Sequence, residues 1–162
     1  MWHLVFNHDE ALAAWAGSRM PHVGADGFPG ARAIGVATGP EAHDQLLAVV
    51  VYHNYVEAYG VCEVSIAASS PKWAQRGVIR ALLHYPFEQL GCRKLYGTIL
   101  STNKRACKLI KGLGFKGPAV LRHHFAQGQH AALYDMTASE YRAKWSQAPT
   151  QVAPRRISEM VA

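Results

Sequence analysis

Two strand-forming runs followed at once by a helical run limit the fold of this chain more than any other feature. Leu46–Tyr55 (LLAVVVYHNY) is β-branched and aromatic, which suits a buried strand. Glu57–Gly60 supplies turn residues, and Val61–Ala67 then alternates. Val61, Glu63, Ser65 and Ala67 fall on one face, and Cys62, Val64 and Ile66 on the other. The two runs predict a hairpin. A polar loop, SSPKWAQRG, leads into VIRALLHY, whose spacing is helical. Pro86 lacks a backbone donor and crowds the preceding turn, so a kink or break is expected near Tyr85. Lys94–Leu100 reads as a further strand.

The flanking segments extend this pattern. Trp2–Phe6 reads as a first strand, and a helix follows from about Asp9 with Ala11, Leu12 and Trp15 on one face. Residues 17–30 are rich in Gly and Pro and read as a loop rimming a pocket. A strand is expected over Ala31–Ala37. Ser101 or Thr102 caps a helix running to about Lys111, with Ala106, Leu109, Ile110 and Leu113 in its apolar line. Val120–Phe125 and His130–Met136 form a second hairpin around AQGQ, and Ala138–Trp145 a short amphipathic helix. Two hairpins joined by helical crossovers give an α/β domain: a mixed central β-sheet flanked by helices, with a parallel pair near its middle. A length of 162 residues suits one domain, assigned to residues 1–145. Residues 146–162, with two prolines and few large apolar side chains, read as a flexible tail.

Composition removes several classes. Hydrophobic residues at 49% against 17% charged exclude disorder throughout. The longest apolar stretch, Leu46–Tyr52, falls far short of the roughly 20 residues a spanning helix needs. MWHLVFNHDE carries no basic n-region, so no signal peptide is expected. Cys62, Cys92 and Cys107 are odd in number and lack CxxC spacing, which disfavours a disulfide framework or structural zinc and suits a cytoplasmic setting. The formal charge of +6 leaves nucleic acid, an anionic membrane, a phosphate-bearing small molecule or plain solubility as its purpose.

The chemistry concentrates where the second central strand runs into its helix. Amides at a helix N-terminus are unpaired and carry positive partial charge, so they cradle phosphate. Gln75, Arg76 and Gly77 precede such a helix; Gly77 lets the backbone approach closely, and Arg76 adds charge. A single glycine before a helix more often marks an ordinary turn. The next strand–helix unit, KLYGTILSTNKRACKLIKGLGF, strengthens the phosphate reading.

Over about Leu46–Trp145 these motifs resemble the GNAT superfamily of acetyl-CoA-dependent N-acetyltransferases, most closely a phage or prophage type. Asn103 and Gly114–Phe115 match the start and end of the family's second helix. The family's phosphate-loop pattern falls on Ala74, Gly77 and Ile79, of which Gly77 matches. The resemblance implies acetyl-CoA as co-substrate, held at its pyrophosphate by Gln75, Arg76, Gly77, Val78 and Ile79. It implies a strand edge at Ile66, Ala67 and Ala68, with a β-bulge that frees amides for the pantetheine arm and the oxyanion. Asn103 is expected at the pantetheine arm or catalytic edge, and Arg105, Cys107 and Lys108 along the cofactor's border.

Glu63, alone as an acidic residue on its strand, is the candidate base; a salt-bridged strand-end carboxylate is its plain alternative. The family's usual general acid, a Tyr seven residues after the Asn, is Ile110 here, which leaves Tyr96, Ser101 and Cys107 as proton donors near in sequence. The implied reaction is direct attack of an amine, small molecule or protein, on acetyl-CoA in a ternary complex. The alternative is a weak or inactive member that binds CoA or a protein partner.

Other features have plainer readings. Lys104, Lys108, Lys111 and Arg105 suit a solvated helix face as well as a CoA 3′-phosphate. Trp73 suits packing, and His53 either packing or the acceptor pocket. His123 and His130 lie across a hairpin, yet no carboxylate or cysteine pair joins them, and no metal is expected. Nucleic acid and membrane are not expected as partners; a homodimer is compatible with the reading. The charge surplus is then a few phosphate contacts plus solubilising charge.

Overall fold

The computed structural model describes residues 2–23, 27–39 and 45–146. The elements run β1 (Trp2–Val5), α1 (Asp9–Gly17), β2 (Arg32–Thr38), β3 (Gln45–Val56), β4 (Val61–Ala68), α2 (Arg76–His84), β5 (Lys94–Leu100), α3 (Lys104–Gly112), β6 (Lys116–Ala126), β7 (Gln129–Thr137) and α4 (Ala138–Lys144). All seven strands form one sheet in the order β1-β2-β3-β4-β5-β7-β6. β4 and β5 are parallel and every other pair is antiparallel. This is the mixed sheet with a central parallel pair that the two hairpins imply.

The two faces of the sheet are covered unequally. On one face Val78, Leu82, Cys107, Ile110 and Tyr141 from α2, α3 and α4 pack against Val50, Cys62, Leu95 and Met136. On the other, Leu12 and Ala16 of α1 pack against Ala33, Val49, Val51 and Ala67. The face of α1 differs from expectation: Ala11 is exposed, and Leu12, Ala13 and Ala16 turn inward. α1 lies over β2, β3 and β4, leaving this face of β5 and β7 without a helix among the described residues.

Pro86 acts as anticipated. α2 ends at His84 and widens into a π-helical turn over Tyr85–Gln89, which accommodates the missing donor. The α3 cap is corrected from Ser101 or Thr102 to Asn103, whose side-chain oxygen accepts from the Ala106 amide at 3.1 Å. The far end of α3 is closed by α4. Lys144 Nζ donates to the Gly112 carbonyl at 2.8 Å, and Trp145 Nε1 to that of Leu113 at 2.9 Å. Cys62, Cys92 and Cys107 are free and buried. Among the described residues no helix is long and apolar enough to cross a membrane. The expected tail lies, beyond Ser146, outside the described residues.

Candidate functional site

The parallel pair is short, and this creates the site. β4 and β5 pair at Val61–Lys94, Cys62–Leu95 and Glu63–Tyr96, and the pairing ends there. Beyond Glu63 the two strands diverge, each still bonded to its outer neighbour, β3 or β7. The Ser69 amide bonds to the Leu47 carbonyl, and the Ser101 amide to that of His130. Because backbone groups alternate sides along a strand, Ile66 and Ala68 point theirs into the fork, as do Thr98 and Leu100 from the other side. Gly97 stands at the root. A Cβ there would lie 3.2 Å from the Val64 carbonyl oxygen, so any larger residue would push the two strands apart by a few tenths of an ångström.

The strand that forms one arm of the fork leads, through a 3-10 turn at Pro71–Trp73, to the N-terminus of α2. Gln75 occupies the cap position, but its side chain donates to the Lys72 carbonyl instead of capping. The first bond of the helix is Ile79 N–H to Gln75 C=O at 2.9 Å. The amides of Arg76, Gly77 and Val78 are therefore without intrahelical partners. Trp73, 2% exposed, packs beneath this turn in the core.

The residues around the base of the fork form a polar row on the face that α1 leaves open. His53, Glu63, Tyr96 and Asp135 are successive partners across β3, β4, β5 and β7. Asn54 Nδ2 donates to Glu63 Oε1 at 2.9 Å, and Thr98 Oγ1 to Glu63 Oε2 at 3.1 Å. Burial, then the charge and hydrogen bond of Glu63, push the Tyr96 hydroxyl up to about 12. His53 Nε2 lies 2.8 Å from Ser65 Oγ, and its ring meets Phe28 with centroids 4.9 Å apart. His22, after α1, meets Phe125 of β6 at 4.5 Å, which brings the tip of the β6–β7 hairpin to this rim. Burial lowers the pKa values of both His22 and His53, while the Glu63 charge opposes the shift in each.

Several expected site residues are brought together and others are not. Glu63 and Tyr96 meet. Ser101 is five residues along β5 from Tyr96, about 16 Å at strand rise, so it does not join them. No β-bulge occurs at Ile66–Ala68, where β3–β4 register is unbroken from Glu63 to Ala68; divergence of β4 from β5 frees the amides instead. Ala67 directs its backbone toward β3 and buries its side chain under α1, so it does not face the fork. Val78 and Ile79 send their side chains into the core, and the Ile79 amide is taken by Gln75. Arg76 leans away over the Trp145 ring, 4.9 Å from its centroid, and donates to the Lys144 carbonyl at 3.3 Å. Asn103 commits its side-chain oxygen to the α3 cap. Cys107 is 8% exposed and belongs to the core beside Tyr134, not to a cofactor border. Arg105 and Lys108 are exposed on α3. Ile110 is 6% exposed and packs inward.

In the sequence His53 has two readings and Thr98 marks only the end of a diverging strand, while Ser65 and Asn54 carry no signal of their own. Single polar residues on strands carry little local signal, and their meeting depends on register. The loop expected to rim a pocket does so in part. Residues 27–31 and α1 line an open pocket of about 740 Å³, while residues 24–26 lie outside the described residues. His123 and His130 contact each other, the His123 amide donating to His130 Nδ1 at 2.9 Å. No three His, Cys, Asp or Glu side chains are grouped to hold a metal among the described residues.

No protein-family model matches the chain, and no curated protein does. Solved structures do. A chimera built on the spermidine N-acetyltransferase SpeG of Vibrio cholerae superposes with a TM-score of 0.68 at 17% identity, covering 86% of this chain and 98% of that one. Mutant forms of the Vibrio cholerae spermidine/spermine N-acetyltransferase give 0.66 at 16%, covering 89% and 99%. A dodecameric form of the Vibrio cholerae spermidine enzyme gives 0.59 at 19%, covering 74% and 71%. These likenesses establish the fold alone, a seven-stranded mixed sheet flanked by helices that the chain shares with those solved structures; they do not bear on a phage or prophage type.

Proposed function

We propose that this protein is an acetyl-CoA-dependent N-acetyltransferase, acting on an amine by direct attack within a ternary complex. The observation that carries this reading is the fork: a parallel pair that parts after Glu63–Tyr96 and is followed by an uncapped helix N-terminus. The free backbone groups of Ile66 and Ala68 suit the amides of a pantetheine arm, added as a peptide strand would be. One of their N–H groups polarises the acetyl carbonyl and stabilises the oxyanion. The first-turn amides of α2, at Arg76, Gly77 and Val78, suit a pyrophosphate, with Gln75 and Arg76 beside them. Arg105 and Lys108 are exposed cations available to a further phosphate. Acetyl-CoA supplies the activated acetyl group, and the protein's own contribution is alignment and charge.

Glu63 gives the acceptor ammonium its counter-charge and is the base expected from the sequence. Tyr96 beside it, protonated at neutral pH, is a hydroxyl donor at the base of the fork. The acceptor is a primary amine. Spermidine belongs to the neighbours' names, and for this chain it is one member of the panel to be tested. The three free thiols suit a reducing setting, and a cytoplasmic reaction and a homodimer are both compatible with this reading.

Titration calorimetry with acetyl-CoA and a thiol-release assay over a panel of primary amines test this reading together. Wild type binds acetyl-CoA, and Arg76→Glu weakens binding about tenfold by placing an anion at the helix N-terminus. Unchanged affinity in that variant removes the phosphate assignment. A second reading, the same fold binding CoA without turnover, is favoured by Ile110, since an apolar buried residue stands at the family's usual acid position. Tight acetyl-CoA binding with no amine acetylated selects it.

A further inference from the structure

The open face holds a proton acceptor that the reading above leaves unused. Both oxygens of Glu63 already accept hydrogen bonds, one from Asn54 and one from Thr98. Tyr96 adds a further hydrogen bond to it, and each bond accepted by the charged form makes the carboxylate a weaker proton acceptor while it still attracts a cation. Next to it, His53 is the direct partner of Glu63 in the β3–β4 ladder. Ser65 is two residues further along β4 on the same face, and its hydroxyl is 2.8 Å from His53 Nε2. Phe28 meets the His53 ring at a tilt, with centroids 4.9 Å apart.

We propose that the proton leaving the acceptor ammonium passes through the Ser65 hydroxyl to His53, while Glu63 serves as the fixed counter-charge. This rests on the acetyl-transfer reading and assigns the proton-accepting role within it. The ammonium N–H bond breaks as its proton joins Ser65 Oγ, and the original Ser65 proton moves to His53 Nε2. Serine is regenerated, His53 becomes imidazolium, and the freed nitrogen lone pair attacks the acetyl carbon; the C–S bond then breaks, and the CoA sulfur leaves with the second proton that the nitrogen loses on becoming an amide. Solvent takes the imidazolium proton before the next turnover. Ser65 meets the substrate, and His53 acts through it.

The surroundings support this direction of transfer. Burial keeps His53 below the ordinary histidine range, so the ring is neutral near pH 7 and free to accept. The imidazolium, once formed, faces the Glu63 charge, which acts on it in the favourable sense. The other titratable groups around the cluster are Tyr96 from β5, Asp135 from β7, His22 after α1 and His124 from β6. Tyr96 and His22 feel Glu63, and His124 acts on His22. The relay requires the tautomer with hydrogen on Nδ1 and a lone pair on Nε2.

Nitrogen NMR of the full chain labelled at histidine tests the ground state, with His53→Gln used to assign the signal. The expected result is a neutral Nδ1–H ring at pH 7 whose pKa falls further in Glu63→Gln. A cationic ring at pH 7, or an Nε2–H tautomer, overturns the proposal. Kinetics with the best amine of the panel test the step itself. In His53→Gln and Ser65→Ala, kcat falls roughly a hundredfold while KM for acetyl-CoA holds, and the acidic limb of the kcat/KM profile disappears. Added imidazole partly restores His53→Ala. Glu63→Gln instead raises KM for the amine and keeps the limb, moved to lower pH. An acidic limb that persists in His53→Gln overturns the relay alone. Acetyl-CoA binding without transfer to any amine overturns acetyl transfer and the relay with it.

Discussion

Tyr52 shows how a single polar atom joins the sheet to a helix. Its ring is 4% exposed within the core, and its hydroxyl donates to the Leu82 carbonyl of α2 at 2.6 Å. Tyr52→Phe leaves that acceptor without its donor, and urea unfolding should show a loss of about 1 kcal/mol. Cys62, on the next strand, is governed by the same burial. Desolvation, aided by Cys92 and Glu63, pushes its thiol up to about 12. Almost no thiolate is then present at neutral pH. Iodoacetamide should leave Cys62 unmodified in the native protein and label it in denaturant, as peptide mass analysis can read. Rapid native labelling would contradict this packing.

At the level of elements, α3 and α4 are fixed at their N-termini by side-chain caps. Asn103→Ala removes the α3 cap and should cost about 1 kcal/mol in urea unfolding. α4 carries a capping box in which Thr137 and Glu140 bond reciprocally, and Glu140 also meets Lys116 Nζ at 3.0 Å. The Thr137 amide, and then Lys116, hold the Glu140 carboxyl below its ordinary value of 4.5. A depressed carboxyl stabilises the fold above the unfolded pKa and loses that contribution as pH falls through the folded one. Thermal unfolding from pH 5.5 down to 3 should show a shallower decline in Glu140→Gln than in wild type, from a lower start. Parallel curves would show that the box adds nothing. Pro86 belongs to this scale and was readable in advance, because a missing donor and a rigid ring act locally whatever the surroundings.

For the molecule as a whole, the fork depends on where β4 and β5 stop pairing. Gly97 allows Val64 to approach, and a methyl at that position meets backbone, which cannot swing aside. Gly97→Ala should destabilise the fold by about 1–3 kcal/mol and weaken acetyl-CoA binding at the same time. Loss of stability with unaltered affinity would place the binding site elsewhere. The uneven cover of the sheet has a functional consequence. Three helices close one face, while α1 covers half of the other, so a row of polar residues stays accessible beside the fork.

The sequence by itself determined the order of elements, the two hairpins, the parallel pair and the break at Pro86. These follow from local period and local sterics. It also pointed to Glu63 and to the start of α2, because a carboxylate in a strand and a glycine before a helix stand out from their neighbours. Register across strands was decided only in three dimensions. Val56 pairs with Val61, and that ladder continued straight would set His53 opposite Val64, facing the helices. Between His53 and Val56 the register shifts, and Asn54 takes a φ of 50°. The shift turns His53 to the other face, opposite Glu63, within reach of Ser65. Asparagine tolerates that backbone conformation, which makes the bulge permissible but does not dictate it. What fixes it is the competition of both faces for their buried residues, a property of the packed sheet that no single strand carries.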